Sequence, residues 1–226
     1  MERCLRFDSG PELRANPTSR FSVRSRLLLR SVPILTVIAG PNGSGKSTLT
    51  SAIGFEGSAN LIDPDAVARR LDADQPARKA IPAAREAILR CNALLADRAS
   101  FTLETTLAGH GALGIPRQAK ITGYQTLLVY VPLGHPELHI ERVRLRVAQG
   151  GHDIPDTDIR RRYWRSLHRA PEALRLADEA IVLDNSGLHP VRMLLLSGGH
   201  VVWRASALPE WVQRLSDAVA LNVKSA

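Results

Sequence analysis

Short apolar, β-branched runs alternate along the chain with stretches whose apolar positions return every three or four residues. The run Ile34-Leu35-Thr36-Val37-Ile38-Ala39 ends in Gly40 and predicts a buried strand, followed by a helix over 47–53. Asn60-Leu61-Ile62 predicts a short strand, and a helix follows over 66–71. Pro76 and Pro82 punctuate a linker before a helix over 83–98, whose apolar positions 84, 87, 88, 91, 94 and 95 form a core-facing stripe. Strands are predicted over 101–103, 124–131 and 180–183, with a flexible loop from Gly109 to Gly114. Pro136 opens a helix to about Ala148, Gly150-Gly151 breaks it, and another starts near Asp158. Residues 191–196 and 200–204 predict a β-hairpin across Ser197-Gly198-Gly199, and a last amphipathic helix begins after Pro209. Trp203 and Trp211 read as packing residues. No internal repeat or low-complexity tract interrupts this order. Alternating strands and helices predict an α/β fold with a central parallel sheet flanked by helices.

At 226 residues, 44% hydrophobic and 23% charged, the chain suits one globular domain. Charge changes the picture at the N-terminus. Residues 1–31 hold seven arginines against Glu2, Asp8 and Glu12, half of the formal +8. They lack apolar periodicity and are broken by Gly10-Pro11 and Asn16-Pro17, so they are expected to be a disordered basic segment ahead of a domain over 32–226. Leu27-Leu28-Leu29 is too short for a signal peptide or a membrane span. Cys4 and Cys91 form no metal or disulfide framework, which makes a reducing cytoplasm the default compartment. A basic body suits anionic phosphates or nucleic acid. Aromatic residues are only 4%, with Tyr163 and Trp164 alone in the arginine-rich region, so base stacking has little to rest on.

The strand at 34–39 runs into Gly40-Pro41-Asn42-Gly43-Ser44-Gly45-Lys46-Ser47, and Thr48 continues the helix. Strand, glycine loop and helix are the context in which G-x-x-x-x-G-K-[ST] means a phosphate-binding loop. Backbone N–H groups and the helix N-terminus would cradle the phosphates, with Lys46 at the terminal ones and Ser47 on Mg²⁺. Gly40 through Thr48 are therefore the candidate ATP-binding residues. Strand ends in such a sheet face the ligand crevice. That places Asp63-Pro64-Asp65 and Glu104-Thr105-Thr106 there, with Asp63 equally readable as a helix cap and Asp65 the better general-base candidate. The arginine-bearing helices joined by Gly150-Gly151 read as a lid over about 142–170 that closes on a triphosphate.

Taken together, these stretches resemble the zeta toxin family of P-loop kinases. The matching residues are 40–48, Asp63-Pro64-Asp65, Glu104-Thr105-Thr106-Leu107, Arg142-Val143, Arg146-Val147, Gly150-Gly151-His152-Asp153-Ile154-Pro155, 159–167 and Asp184-Asn185-Ser186. The resemblance implies a P-loop kinase fold with ATP and Mg²⁺ as cofactors, and γ-phosphate transfer to a hydroxyl, in known members that of a UDP-N-acetyl amino sugar. It implies Asp65 as general base, Glu104 orienting the acceptor hydroxyl, and Arg146 and Arg162 on the phosphates ahead of Arg142, Arg160 and Arg165. It also makes an antitoxin protein a candidate partner. Two other readings stay open: an ATPase or nucleotide switch, and a nucleic-acid-binding module built on the arginine hairpin. Two carboxylates aimed at one crevice favour the kinase over both.

Overall fold

The computed structural model describes residues 32–221; the predicted basic segment 1–31 and its Cys4 lie outside them. One seven-stranded sheet organises these residues in the order β2-β3-β1-β4-β5-β6-β7. The strands are β1 (Ile34–Ala39), β2 (Leu61–Ile62), β3 (Phe101–Thr105), β4 (Gln125–Tyr130), β5 (Glu179–Asp184), β6 (Val191–Ser197) and β7 (His200–Arg204). The first five run parallel, whereas β6 and β7 pair antiparallel, so the sheet is mixed rather than wholly parallel. The reason lies in the connections. β1 to β4 are each followed by a helical crossover. By contrast, β5 reaches β6 through only residues 185–190 and β6 reaches β7 through Gly198-Gly199, both at positive φ, and links this short permit only antiparallel pairing.

The helices are α1 (Lys46–Ala52), α2 (Pro64–Leu71), α3 (Ala80–Ala96), α4 (Gly114–Ile121), α5 (Pro136–Ala148), α6 (Asp156–Leu176) and α7 (Glu210–Leu221). Three details differ from the sequence expectation. Pro82 lies in the first turn of α3, where its missing N–H has no helical acceptor to lose, so it does not extend the linker. The buried stripe of α3 is Ala83, Ala87, Cys91 and Leu95, a strict four-residue repeat, and it leaves Ile88 half exposed. Residues 114–121, for which no element was predicted, form α4, burying Ile115, Pro116 and Ala119.

β1 is the central strand of the parallel part, and Leu35 and Ile38 on its two faces are fully buried. Cys91 serves as a small apolar filler, and burial pushes its thiol up to about 11, which suppresses the reactive thiolate. α6 is one helix with two duties. Its N-terminal half joins Ile140 and Val143 of α5 and the turn residue Ile154 through Ile159, while Ala170, Ala173 and Leu174 enter the main core. Pro171 sits inside it, within the core part, next to Ala170. Among the described residues, no helix is long and apolar enough to cross a membrane.

Tyr124 ties the outer helix to the sheet. Its ring packs edge-on against Phe101, and its hydroxyl donates towards Leu94 O at 2.8 Å and Ala99 O at 3.1 Å, at the end of α3. Tyr124→Phe keeps the ring and removes the only atom making those bonds. It is expected to cost about 1 kcal/mol, lowering the melting temperature by about 2–4 °C in a thermal scan, with the fold intact by circular dichroism.

Candidate active site

The site begins where β1 ends. Gly40 N–H donates to Thr105 O at 3.1 Å and Val131 N–H to Ala39 O at 2.8 Å, so the sheet ladder carries on to the edge of the loop. A Cβ on Gly40 would lie 2.3 Å from Val131 O, which makes glycine obligatory there. Gly43 and Gly45 hold φ of 75° and 91°, turning the loop into a cup ahead of α1. A cup that presents N–H groups inward turns carbonyls outward, and those of Gly40, Pro41, Asn42 and Ser44 find side-chain donors. Lys46 Nζ donates to Gly40 O at 2.8 Å and Pro41 O at 3.1 Å. Asn185 Nδ2 donates to Ser44 O at 2.8 Å, and His139 Nδ1 lies 2.7 Å from Asn42 O.

His139 is fully buried on α5 and accepts the Leu133 N–H at Nε2, at 3.2 Å. That bond leaves Nδ1 to carry the proton and donate to Asn42 O. Burial above all, with Lys46 and Arg142 adding, lowers its pKa to about 4, although the Asn42 bond pulls the other way. Neither His139 nor the Asn185 side chain is marked by the sequence motif. The available signal for His139 is its place beside Ile140 on the apolar face of α5.

Glu104 is 3% exposed and closes the base of the site. Ser47 Oγ donates to its Oε2 at 3.0 Å and Thr50 Oγ1 to its Oε1 at 2.6 Å. Burial raises its pKa, with Asp63 adding, while Thr50, Lys46 and Ser47 oppose the rise. Both oxygens thus engage α1. Thr105 and Thr106 turn back on their own chain, accepting the N–H groups of Leu107 and Ala108 and shaping the turn in which Leu107 adopts φ 60°. Asp63 caps α2, its Oδ1 accepting the Asp65 N–H at 2.9 Å, and pairs with Arg69 at 3.5 Å. With Asp63 so occupied, Asp65 is the carboxylate that reaches the loop, where Asn42 Nδ2 lies 3.4 Å from its Oδ2.

The arginines divide. Arg162 Nη1 donates to Asn42 Oδ1 at 3.0 Å, and Arg146 Nη2 donates to His152 O at 3.0 Å, with Asp65 as an attractive charge nearby. Arg142 instead holds Asn185 O at 2.6 Å, Arg160 pairs with Glu137 at 3.0 Å, and Arg165 is exposed. Burial lowers the Lys46 pKa, while Asp65, Glu104 and Asp63 oppose that shift. Burial also lowers those of Arg146 and His152. The structure therefore brings together Lys46, Ser47, Asp65, Glu104, Arg146 and Arg162 around the loop, while Thr48 faces outward.

Strand, glycine cup, helix and flanking lid define a P-loop domain of the α/β class. The chain belongs to the AAA domain family, whose model matches residues 35–171. It is 32% identical over 124 residues to an uncharacterized protein of Haemophilus influenzae, an overlap of 55% of this chain and 88% of that one. Among solved structures it resembles AvrRxo1-ORF1:-ORF2 with ATP, at a TM-score of 0.62 and 14% identity. That match covers 82% of this chain and 64% of the other, so this chain spans less than two thirds of that relative. It also resembles the PezAT chromosomal toxin-antitoxin system of Streptococcus pneumoniae, at a TM-score of 0.53 and 13% identity, covering 86% and 87% of the two chains.

Two outcomes follow from this geometry. A folded-state pKa for His139 below the ordinary 6.5 means that the unfolded chain takes up the proton first on acidification. The stabilisation is complete above pH 6.5 and is lost as pH falls towards 4, a change of about 3 kcal/mol. Urea unfolding across that window should show it, and His139→Gln should flatten this component. Gly151 is the second position. A Cβ there would meet Arg146 Cγ at 2.7 Å and Arg146 O at 2.9 Å, so Gly151→Ala is expected to displace Arg146. Its turnover should fall towards that of Arg146→Ala, and combining the two changes should add little, as steady-state kinetics of the three variants would show.

Proposed function

We propose that this protein is an ATP-dependent phosphotransferase that moves the γ-phosphate to a hydroxyl of a small acceptor, in the manner of zeta toxins. The carrying observation is that Asp65 and Arg162 meet across one loop side chain, Asn42, beside Lys46. A carboxylate and mobile cations at a phosphate loop are what phosphoryl transfer to an alcohol needs. The relative solved with ATP supports the choice of nucleotide.

In this reading Asp65 takes the acceptor proton as the acceptor oxygen bonds to the transferred phosphorus and the bond to the leaving diphosphate breaks. Lys46, Arg146 and Arg162 neutralise the charge on the transferred group and on that diphosphate. Ser47 and Glu104 form a pair of oxygen donors suited to Mg²⁺, which when bound would offset phosphate charge. Glu104 is therefore assigned to the metal side, because its oxygens already engage Ser47 and Thr50 rather than the acceptor crevice. A UDP-N-acetyl amino sugar is the proposed acceptor. An antitoxin is the proposed partner, supported by the toxin-antitoxin likeness.

The test is a screen with γ-labelled ATP against hydroxyl-bearing acceptors that include UDP-N-acetylglucosamine. Asp65→Asn is expected to cut transfer by ~10²–10⁴-fold while ATP affinity holds. Lys46→Ala is expected to lose tight ATP binding. Release of label only as inorganic phosphate, with every acceptor tried, would favour the ATPase or switch reading. Unchanged transfer by Asp65→Asn would remove Asp65 from the chemistry.

A further inference from the structure

Asn42 occupies a variable position of the loop motif, yet three elements converge on it. Its carbonyl is bound by His139 of α5, its amide Nδ2 faces Asp65 of α2, and its amide oxygen accepts from Arg162 of α6. The residue is 3% exposed, so these partners replace water rather than compete with it. The amide suits the task chemically. One planar group offers a donor on one side and an acceptor on the other, matched to a carboxylate and a guanidinium. No other standard side chain of this length presents both on a rigid plane. The His139 bond fixes the backbone from which the amide projects, so its direction is set by α5 packed directly beneath, where a Cβ on Gly43 would lie 2.6 Å from His139 O.

We propose that Asn42 is a positioning residue that aims the Asp65 carboxylate and holds Arg162 at the loop, registering base and lid arginine against each other. The proposal rests on the phosphotransferase reading for its kinetic consequence, but the contacts themselves do not depend on catalysis. The Asp65 bond is the longer of the two, at 3.4 Å against 3.0 Å, so Arg162 is the more firmly held partner. An amide in this place also keeps Arg162 and Asp65 from pairing directly. A direct pair would occupy the oxygen that must receive a proton.

The variants separate these roles. Asn42→Ala removes both contacts. Asn42→Asp retains an acceptor for Arg162 but loses the donor to Asp65 and sets two carboxylates side by side. Two readouts are taken on the full chain. Restricted rotation of the Arg162 guanidinium is followed by ¹⁵N NMR and assigned with Arg162→Lys. Single-turnover transfer from labelled ATP is measured beside ATP affinity and melting temperature.

In Asn42→Ala the Arg162 signal is expected to lose its restriction. Transfer should fall by ~10–100-fold, on the order of the effect of an ångström-scale misplacement, and by clearly more than ATP affinity does. Asn42→Asp should keep the Arg162 restriction and still lose transfer. An Arg162 signal equally restricted in Asn42→Ala, or parent-level transfer in both variants, overturns the proposal. So does a loss of transfer that merely tracks melting temperature and ATP affinity, which is the pattern of a structural residue. If Asn42→Ala does not fold, the near-isosteric Asn42→Asp decides: parent-level transfer, or an Arg162 signal that loses its restriction, overturns the proposal. A parent that transfers to no acceptor defeats the phosphotransferase reading, and the NMR comparison then judges the clamp by itself.

Discussion

A loop that offers its N–H groups to an anion must turn its carbonyls the other way, and in a buried loop each of those carbonyls needs a donor. Much of the site follows from this constraint. Lys46 reaches back to Gly40 O and Pro41 O, His139 serves Asn42 O, and Asn185 serves Ser44 O. These donors come from α1, α5 and the segment after β5, so satisfying the loop brings distant parts of the chain to one point. Arg142, in turn, holds the carbonyl of Asn185. Arg142 thus supports the cup through Asn185.

The electrostatics follow the same geometry. Three carboxylates, Asp63, Asp65 and Glu104, surround a buried lysine, and each has a different occupation. Asp63 caps a helix, Glu104 binds hydroxyls of α1, and Asp65 faces the loop. Burial disfavours the charged form of Lys46, and these carboxylates oppose it. The cationic character of the site thus depends on the acids around it. The family match accounts for the scaffold, and the solved relatives share its fold at 13–14% identity.

Periodicity made much of this legible in advance. β1 and α5 were read from the chain with the bounds they have in the structure, because a continuous apolar run and a Pro-to-Gly helical segment each have one reading. The α3 stripe is legible at Ala87, Cys91, Leu94 and Leu95, but Ala83 takes the place expected of Ala84 and Ile88 is half exposed, since alanine-rich helices offer apolar positions on every side and packing alone chooses among them. α4 escaped notice because Gly114 and Pro116 look like loop residues, although a proline is tolerated in a first turn. At the site, the loop motif and the positions of the acids are legible in the sequence, while the choice of Arg146 and Arg162 among the arginines comes from the family resemblance. His139 is not legible there, and Asn185 is marked only through the resemblance at Asp184-Asn185-Ser186, which does not show its bond to Ser44 O. Each acts on a backbone carbonyl about a hundred or more residues away, and such a bond leaves no trace in local composition.

Pro171 gives α6 a mechanical character. A proline there cannot donate to Leu167 O, so the helix loses one rung where it enters the core. Arg162 stands nine residues before it, an arm of roughly 13 Å at 1.5 Å per residue. The inner end is anchored by Ala170, Ala173 and Leu174. Along that arm Ser166 meets the Tyr130 hydroxyl and Tyr163 donates to Gly134 O, and just beyond it Ile159 packs on Ile140 and Val143. The missing rung is thus bridged by side chains, and these, more than the backbone ladder, fix where the helix holds its guanidinium at the mouth of the cup.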